Sequence, residues 1–133
     1  MKKIIVAIFL LILFNIPAHA TKLSSDSATC LRQNDENICI YLGNAKLNNG
    51  ETNLQAQQIT IHKINSGKIN KIVASGKHSH YSDVMNDNKK AVSADADLIT
   101  IYTQKNMMVL DGDSTATVGQ DKYSGPHIEY QFK

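Results

Sequence analysis

The chain has 133 residues, a formal net charge of +2, 6% aromatic residues and no Trp. That length points to one domain, and the near balance of charge leaves neither an electrostatic footprint for nucleic acid nor a polybasic patch for anionic lipid. Nucleic acid is therefore not an expected partner, and any lipid contact must come from apolar surface. Taken in order, the first element is a secretory signal. Lys2 and Lys3 precede an apolar run from Ile4 to Phe14, followed by Pro17 and the small-x-small pattern Ala18-His19-Ala20. The run is too short to cross a bilayer comfortably, and the small residues argue against an uncleaved anchor. Cleavage after Ala20 leaves a domain over residues 21–133 with 12 basic and 12 acidic residues.

The rest reads as strands. Short alternating apolar stretches are separated by turn residues at steady intervals. Asn34-Asp35 is the first candidate turn. A two-residue loop there pairs Gln33 with Glu36 and, counting outward, Cys30 with Cys39 at a non-hydrogen-bonded pair, where Cα atoms lie about 4.5 Å apart. The only two cysteines of an exported chain are thus expected to form a disulfide; their spacing is not that of a C-x-x-C redox pair. Asn49-Gly50 is the strongest hairpin signal, because both residues tolerate positive φ. Ser66-Gly67, Asn86-Asp87-Asn88, Gln104-Lys105-Asn106 and Gly119-Gln120-Asp121 mark the following turns. This predicts about seven antiparallel strands in an up-and-down meander. Their length of about 10 to 15 residues exceeds the usual strand, so a twisted sheet bent at Gly43, Gly76 and Gly112 is expected.

Those glycines also mark a repeat, since each precedes a strand, a turn and a second strand. Ala56-Gln57-Gln58-Ile59-Thr60-Ile61 matches Ala96-Asp97-Leu98-Ile99-Thr100-Ile101, and Gly125-Pro126-His127-Ile128-Glu129-Tyr130 matches both at the first, fourth and sixth places. A unit of this kind cannot bury its apolar face alone and must stack on its neighbours. The final run, Tyr123 to Phe132, alternates and carries Pro126, which a sheet edge tolerates.

Tyr41-Leu42-Gly43-Asn44-Ala45, its weaker copies Ala74-Ser75-Gly76 and Leu110-Asp111-Gly112, and the three second strands together resemble the LptA/OstA-like family of lipopolysaccharide export proteins. The resemblance covers roughly residues 24 to 132. It implies an all-β, twisted antiparallel β-jellyroll, two-walled and open like a V. The implied function is a periplasmic bridge that binds lipopolysaccharide through its acyl chains. Implied partners are the inner-membrane and outer-membrane components of the export machinery, and the protein itself, stacked head to tail. Period-two alternation puts one face of each strand inward. The candidate groove residues are Leu54, Ile59, Ile61, Val73, Ile99, Ile101, Val109, Ile128, Tyr130 and Phe132. A plain interaction module that binds protein partners by edge-strand addition is the alternative.

No enzymatic constellation stands out: there is no Gly-x-Ser-x-Gly elbow, no phosphate loop and no Cys-His arrangement. His78-x-His80 would put two imidazoles on one strand face, half of a zinc site, but spacing supplies no third ligand. Asp95 and Asp97 read as outward polar positions, and Asp111-Gly112-Asp113 as a bend. No metal or other cofactor is expected.

Overall fold

The computed structural model describes residues 21–84 and 90–132. The signal segment 1–20 and the turn expected at Asn86-Asp87-Asn88 lie outside the described residues. Among the described residues eight strands follow one another: β1 (Thr21–Ser24), β2 (Ser27–Gln33), β3 (Glu36–Asn49), β4 (Thr52–Ile64), β5 (Ile69–Val84), β6 (Ala91–Tyr102), β7 (Met107–Val118) and β8 (Asp121–Gln131). They form one antiparallel sheet in the order β1-β3-β4-β5-β6-β7-β8, with β2 also pairing with β3. The short strands β1 and β2 lie along one side of β3, broken at Ser25-Asp26. That break turns the expected seven strands into eight.

The turns follow the local chemistry. Asn34 and Asp35 both take positive φ (51° and 64°), the two-residue form that matches the twist of its strands. The next hairpin shifts by one residue from expectation. Asn49 pairs with Thr52, so the loop is Gly50-Glu51, and only Gly50 has positive φ. Cys30 pairs with Cys39 and is bonded to it, with Cα atoms 4.0 Å apart. Every residue of β2 is exposed, so this strand takes little from the core and the covalent link holds it to β3.

Leaving aside a second slip of the β4–β5 pair at His62/Lys63, the register slips once in each of five consecutive strand pairs: at Leu42/Ala45, Gln55/Gln58, Ser75/Ser79, Asp95/Leu98 and Asp111/Ser114. These slips line up into a seam across the sheet. Strands β3, β5 and β7 cross it in left-handed backbone at Gly43-Asn44, at Gly76 and His78, and at Gly112-Asp113. Gly76 shows the requirement most clearly. Its φ is +116°, and a Cβ there would lie 2.6 Å from the Cβ of Gln57 on β4. Asp26 and Asp97 press in the same way on Gly43 and Gly112. The sequence repeat is thus a repeat of bend points.

Bending at the seam folds one face of the sheet onto itself and makes two walls. One wall contributes the partner series Leu47–Leu54–Tyr81–Ala94–Ala116. The other contributes Tyr41–Ile59–Ala74–Ile99–Leu110–Ile128 and Cys39–Ile61–Ile72–Ile101–Met108–Tyr130. We call these the alanine wall and the isoleucine wall. At the seam the walls converge, and only small side chains fit: Ala45, Ser79 and Ala96 are completely buried there. Residues from both walls form one apolar cluster. Among the described residues the sheet does not close, because β8 pairs only with β7.

Two stability measurements check this account. Gly76→Ala should cost about 2 kcal/mol or more, combining a strained φ with the Gln57 overlap. Gly125→Ala, at a glycine with no positive φ and nothing within 4 Å of an added Cβ, should shift stability by less than about 0.5 kcal/mol. Equal effects would refute the role of the seam. Replacing Cys30 and Cys39 together with Ala should cost roughly 2 to 3 kcal/mol, with the β2 amides losing hydrogen-exchange protection before those of β4 to β7.

Candidate functional site: the slot between the walls

The inner face is apolar along both walls, and its packing is uneven. Ile59, Ile99, Met108 and Leu110 are fully buried in the centre of the isoleucine wall. Farther from the seam the walls part and leave a cleft of about 230 Å³, bounded by Leu47, Leu54 and Tyr81 of the alanine wall and Ile72, Ile101 and Phe132 opposite. Asn49 and Thr52, at the base of the β3–β4 hairpin, supply its polar rim. The ring of Phe132 spans the gap. Its centroid lies 6.1 Å from that of Tyr81 and 5.3 Å from that of Tyr130, edge-on to both. Tyr81 donates a hydrogen bond to Asp83 Oδ2 at 2.9 Å. Burial first, and the Asp83 carboxylate second, push its hydroxyl far above the ordinary tyrosine range, so it stays protonated. Burial also raises Tyr41.

Eight of the ten residues expected from sequence share this inner face: Leu54, Ile59, Ile61, Ile99, Ile101, Ile128, Tyr130 and Phe132. Val73 and Val109 do not. They lie on the outer face, in the series Thr60–Val73–Thr100–Val109–Glu129. The reason is local: Ile72-Val73-Ala74 and Met108-Val109-Leu110 are apolar on both faces, so alternation alone does not fix their phase. Their inward neighbours Ile72, Ala74, Met108 and Leu110 were missed, along with Leu47 and Tyr81. Register would have found some of them. Counting outward from the Gln104-Lys105-Asn106 turn puts Met108 opposite Ile101 and Leu110 opposite Ile99, as observed.

A larger, shallow groove of about 830 Å³ lies along the seam, with His78, Asp95, Asp113, Thr115 and Ser124 among its lining residues. Its side chains suit water better than hydrocarbon, so the smaller cleft is the candidate site. His78 and His80 do not make the expected even pair. His78 sits in the bulge with φ +53°, while His80 Nδ1 lies 2.8 Å from Asp95 Oδ1. Asp97 leans on Gly112 instead of repeating the setting of Asp95. Among the described residues no group of three or more His, Cys, Asp or Glu is arranged to hold a metal.

Among the described residues, both sides of the sheet end in open ladders. On β8, His127 lies between two carboxylates, with Nδ1 2.5 Å from Asp111 of β7 and Nε2 3.0 Å from Glu129. The bond to Asp111, then that to Glu129, raises its pKa above the ordinary value.

Chemically, this is a small open β-jellyroll that offers dry apolar surface between two walls and carries unpaired strand edges on its flanks. The chain belongs to the LptA/(LptD N-terminal domain) LPS transport protein family, whose profile matches residues 22–133. It is therefore a lipopolysaccharide transport protein by family, and that family is not one of enzymes. No curated protein sequence matches it. Its fold is similar to that of LptH, described as the LptA-homologous periplasmic component of the conserved lipopolysaccharide transport device from Pseudomonas aeruginosa. The TM-score is 0.73 at 20% sequence identity, over 84% of this chain and 76% of that one.

The edge cluster gives a pH prediction. Raising the folded pKa of His127 means that its contribution to the β7–β8 edge is fully present below the unfolded value of about 6.5. That contribution fades as pH rises through the higher folded value. In an NMR titration, Asp111→Asn should lower the His127 pKa more than Glu129→Gln. An unmoved pKa in both variants would show that the carboxylates do not hold the ring.

Proposed function

We propose that this chain, exported and cleaved after Ala20, is a periplasmic carrier that takes the acyl chains of lipopolysaccharide between its walls and leaves the sugars in water. The observation that carries this reading is the apolar cleft opening from the inner face, walled by Leu54 and Tyr81 on one side and Ile72 and Ile101 on the other. Exposing an acyl chain to water costs about 0.8 kcal/mol per CH₂. A tail of about a dozen carbons thus faces a barrier on the order of 10 kcal/mol, and a continuous dry surface removes most of it. Because the centre of the inner face is packed, tails enter at the cleft and spread the walls about the seam.

The edges suit the second half of the task. Strand β8 at one side and β1 with β2 at the other present unpaired backbone groups that can continue the sheet into another copy. Head-to-tail stacking would extend the slot from subunit to subunit, between the inner-membrane and outer-membrane components of the export machinery. A plain interaction module would use the same edges but would have no need of the cleft.

The faces supply a matched test. Ile101→Asp places a charge in the cleft, and Val73→Asp places the same charge on the outer surface of the same wall. Ile101→Asp should weaken binding of purified lipopolysaccharide at least about tenfold, since an unpaired buried charge costs well over 1.4 kcal/mol. Val73→Asp should bind within about threefold of wild type. Circular dichroism verifies that both are folded. A folded Ile101→Asp variant that binds normally would refute the assignment of the cleft.

A further inference from the structure

We propose that Phe132 is a built-in plug: its ring occupies the mouth of the cleft when no hydrocarbon is present and leaves when an alkyl chain enters. The inference rests on the carrier reading and adds a residue-level competitor for the same site.

Phe132 differs from the other cleft residues in how it is held. Leu54, Ile72, Tyr81 and Ile101 lie within strands, fixed by ladder pairs on both sides. Phe132 lies just beyond the last residue of β8. Its N–H donates to the Asn106 carbonyl at 2.7 Å. The preceding Gln131 side chain donates to the carbonyls of Lys105 and Asn106 at 2.8 and 2.9 Å. Among the described residues, these bonds clip the segment to the β6–β7 turn on one side. The ring then reaches across the gap to Tyr81 on the other wall. It remains half-buried, and it spans the two walls where the other lining residues belong to one.

An aromatic ring resting edge-on against two tyrosines is a modest, reversible contact. A long alkyl chain presents more apolar surface than one phenyl ring and displaces it. Tyr81 stays behind as a fixed wall, its hydroxyl tied to Asp83. Because Phe132 follows directly on the edge strand β8, its release also frees the adjoining end of that strand. Loading of the cleft and availability of the edge for another copy are thereby coupled.

The protein contains no Trp, so Phe132→Trp introduces a single reporter. In the full mature chain, adding purified lipopolysaccharide should shift its emission to longer wavelength as the indole moves into water. In the wild-type chain, the Phe132 amide should exchange faster with lipopolysaccharide present, while the Ile101 amide is slowed or unchanged. Phe132→Ala should bind lipopolysaccharide about threefold to tenfold more tightly, because the site no longer has to be vacated. If wild type binds but Phe132→Ala binds equally or more weakly and the indole emission stays unmoved or shifts blue, Phe132 is part of the wall and the plug is refuted while the carrier reading stands. If wild type and both Phe132 variants all fail to bind, the carrier reading falls and the plug falls with it.

Discussion

An apolar sheet face in water must find something to cover it, and here it is covered by the rest of the same face. The seam makes that possible. Three strands pass through left-handed backbone at corresponding points, and in each the glycine is followed within two residues by Asn44, His78 or Asp113, also with positive φ. Asn, Asp and His are the non-glycine residues that accept this region most readily. Each such residue still carries strain of order 1 kcal/mol, which the buried cluster offsets. Without the bends, the sheet would be a ribbon of long strands with one greasy side. With them, the two halves of each strand face each other across a slot, and small residues at the apex let the walls meet.

The same arrangement explains why the fold is open. Covering one face by bending leaves the outer side of both edge strands open among the described residues, unlike closure into a barrel. The β2 edge takes almost no burial, and the Cys30–Cys39 bond fixes it where packing does not. The β8 edge carries Pro126 and the His127 cluster in place of a covering element. In the carrier reading proposed above, openness at the edges would allow continuation into another chain, and dryness between the walls would shelter hydrocarbon. Both follow from one bent sheet. The seam also gives the walls a shared line of interrupted strand pairing about which they can part.

Much of this was legible in the sequence because it is written in turn chemistry. Gly43, Gly76 and Gly112 announced the bends, and the Asn34-Asp35 turn fixed the register that joined the cysteines. The repeat over Ile59, Ile99 and Ile128 placed three residues that the structure sets in one series across the sheet. What alternation could not supply was phase. At Val73 and Val109 both faces of the strand are apolar, and at His78-x-His80 and Asp95-x-Asp97 a bulge interrupts the period, so the assigned faces were wrong or the pairs unlike. Tyr81 was overlooked because its strand reads as polar: Ser79, Ser82 and Asp83 surround it, and only the partner series Leu54–Tyr81–Ala94 reveals it as wall.

The central claim is that hydrocarbon enters by separating the two walls about the seam. Spin labels at Gln55 and Glu129, exposed positions on opposite walls, would report their separation by pulsed electron resonance. Saturating the protein with purified lipopolysaccharide should lengthen the mean distance and replace the original distribution. Tight binding with an unchanged distance distribution would contradict the account and place the lipid somewhere other than between the walls.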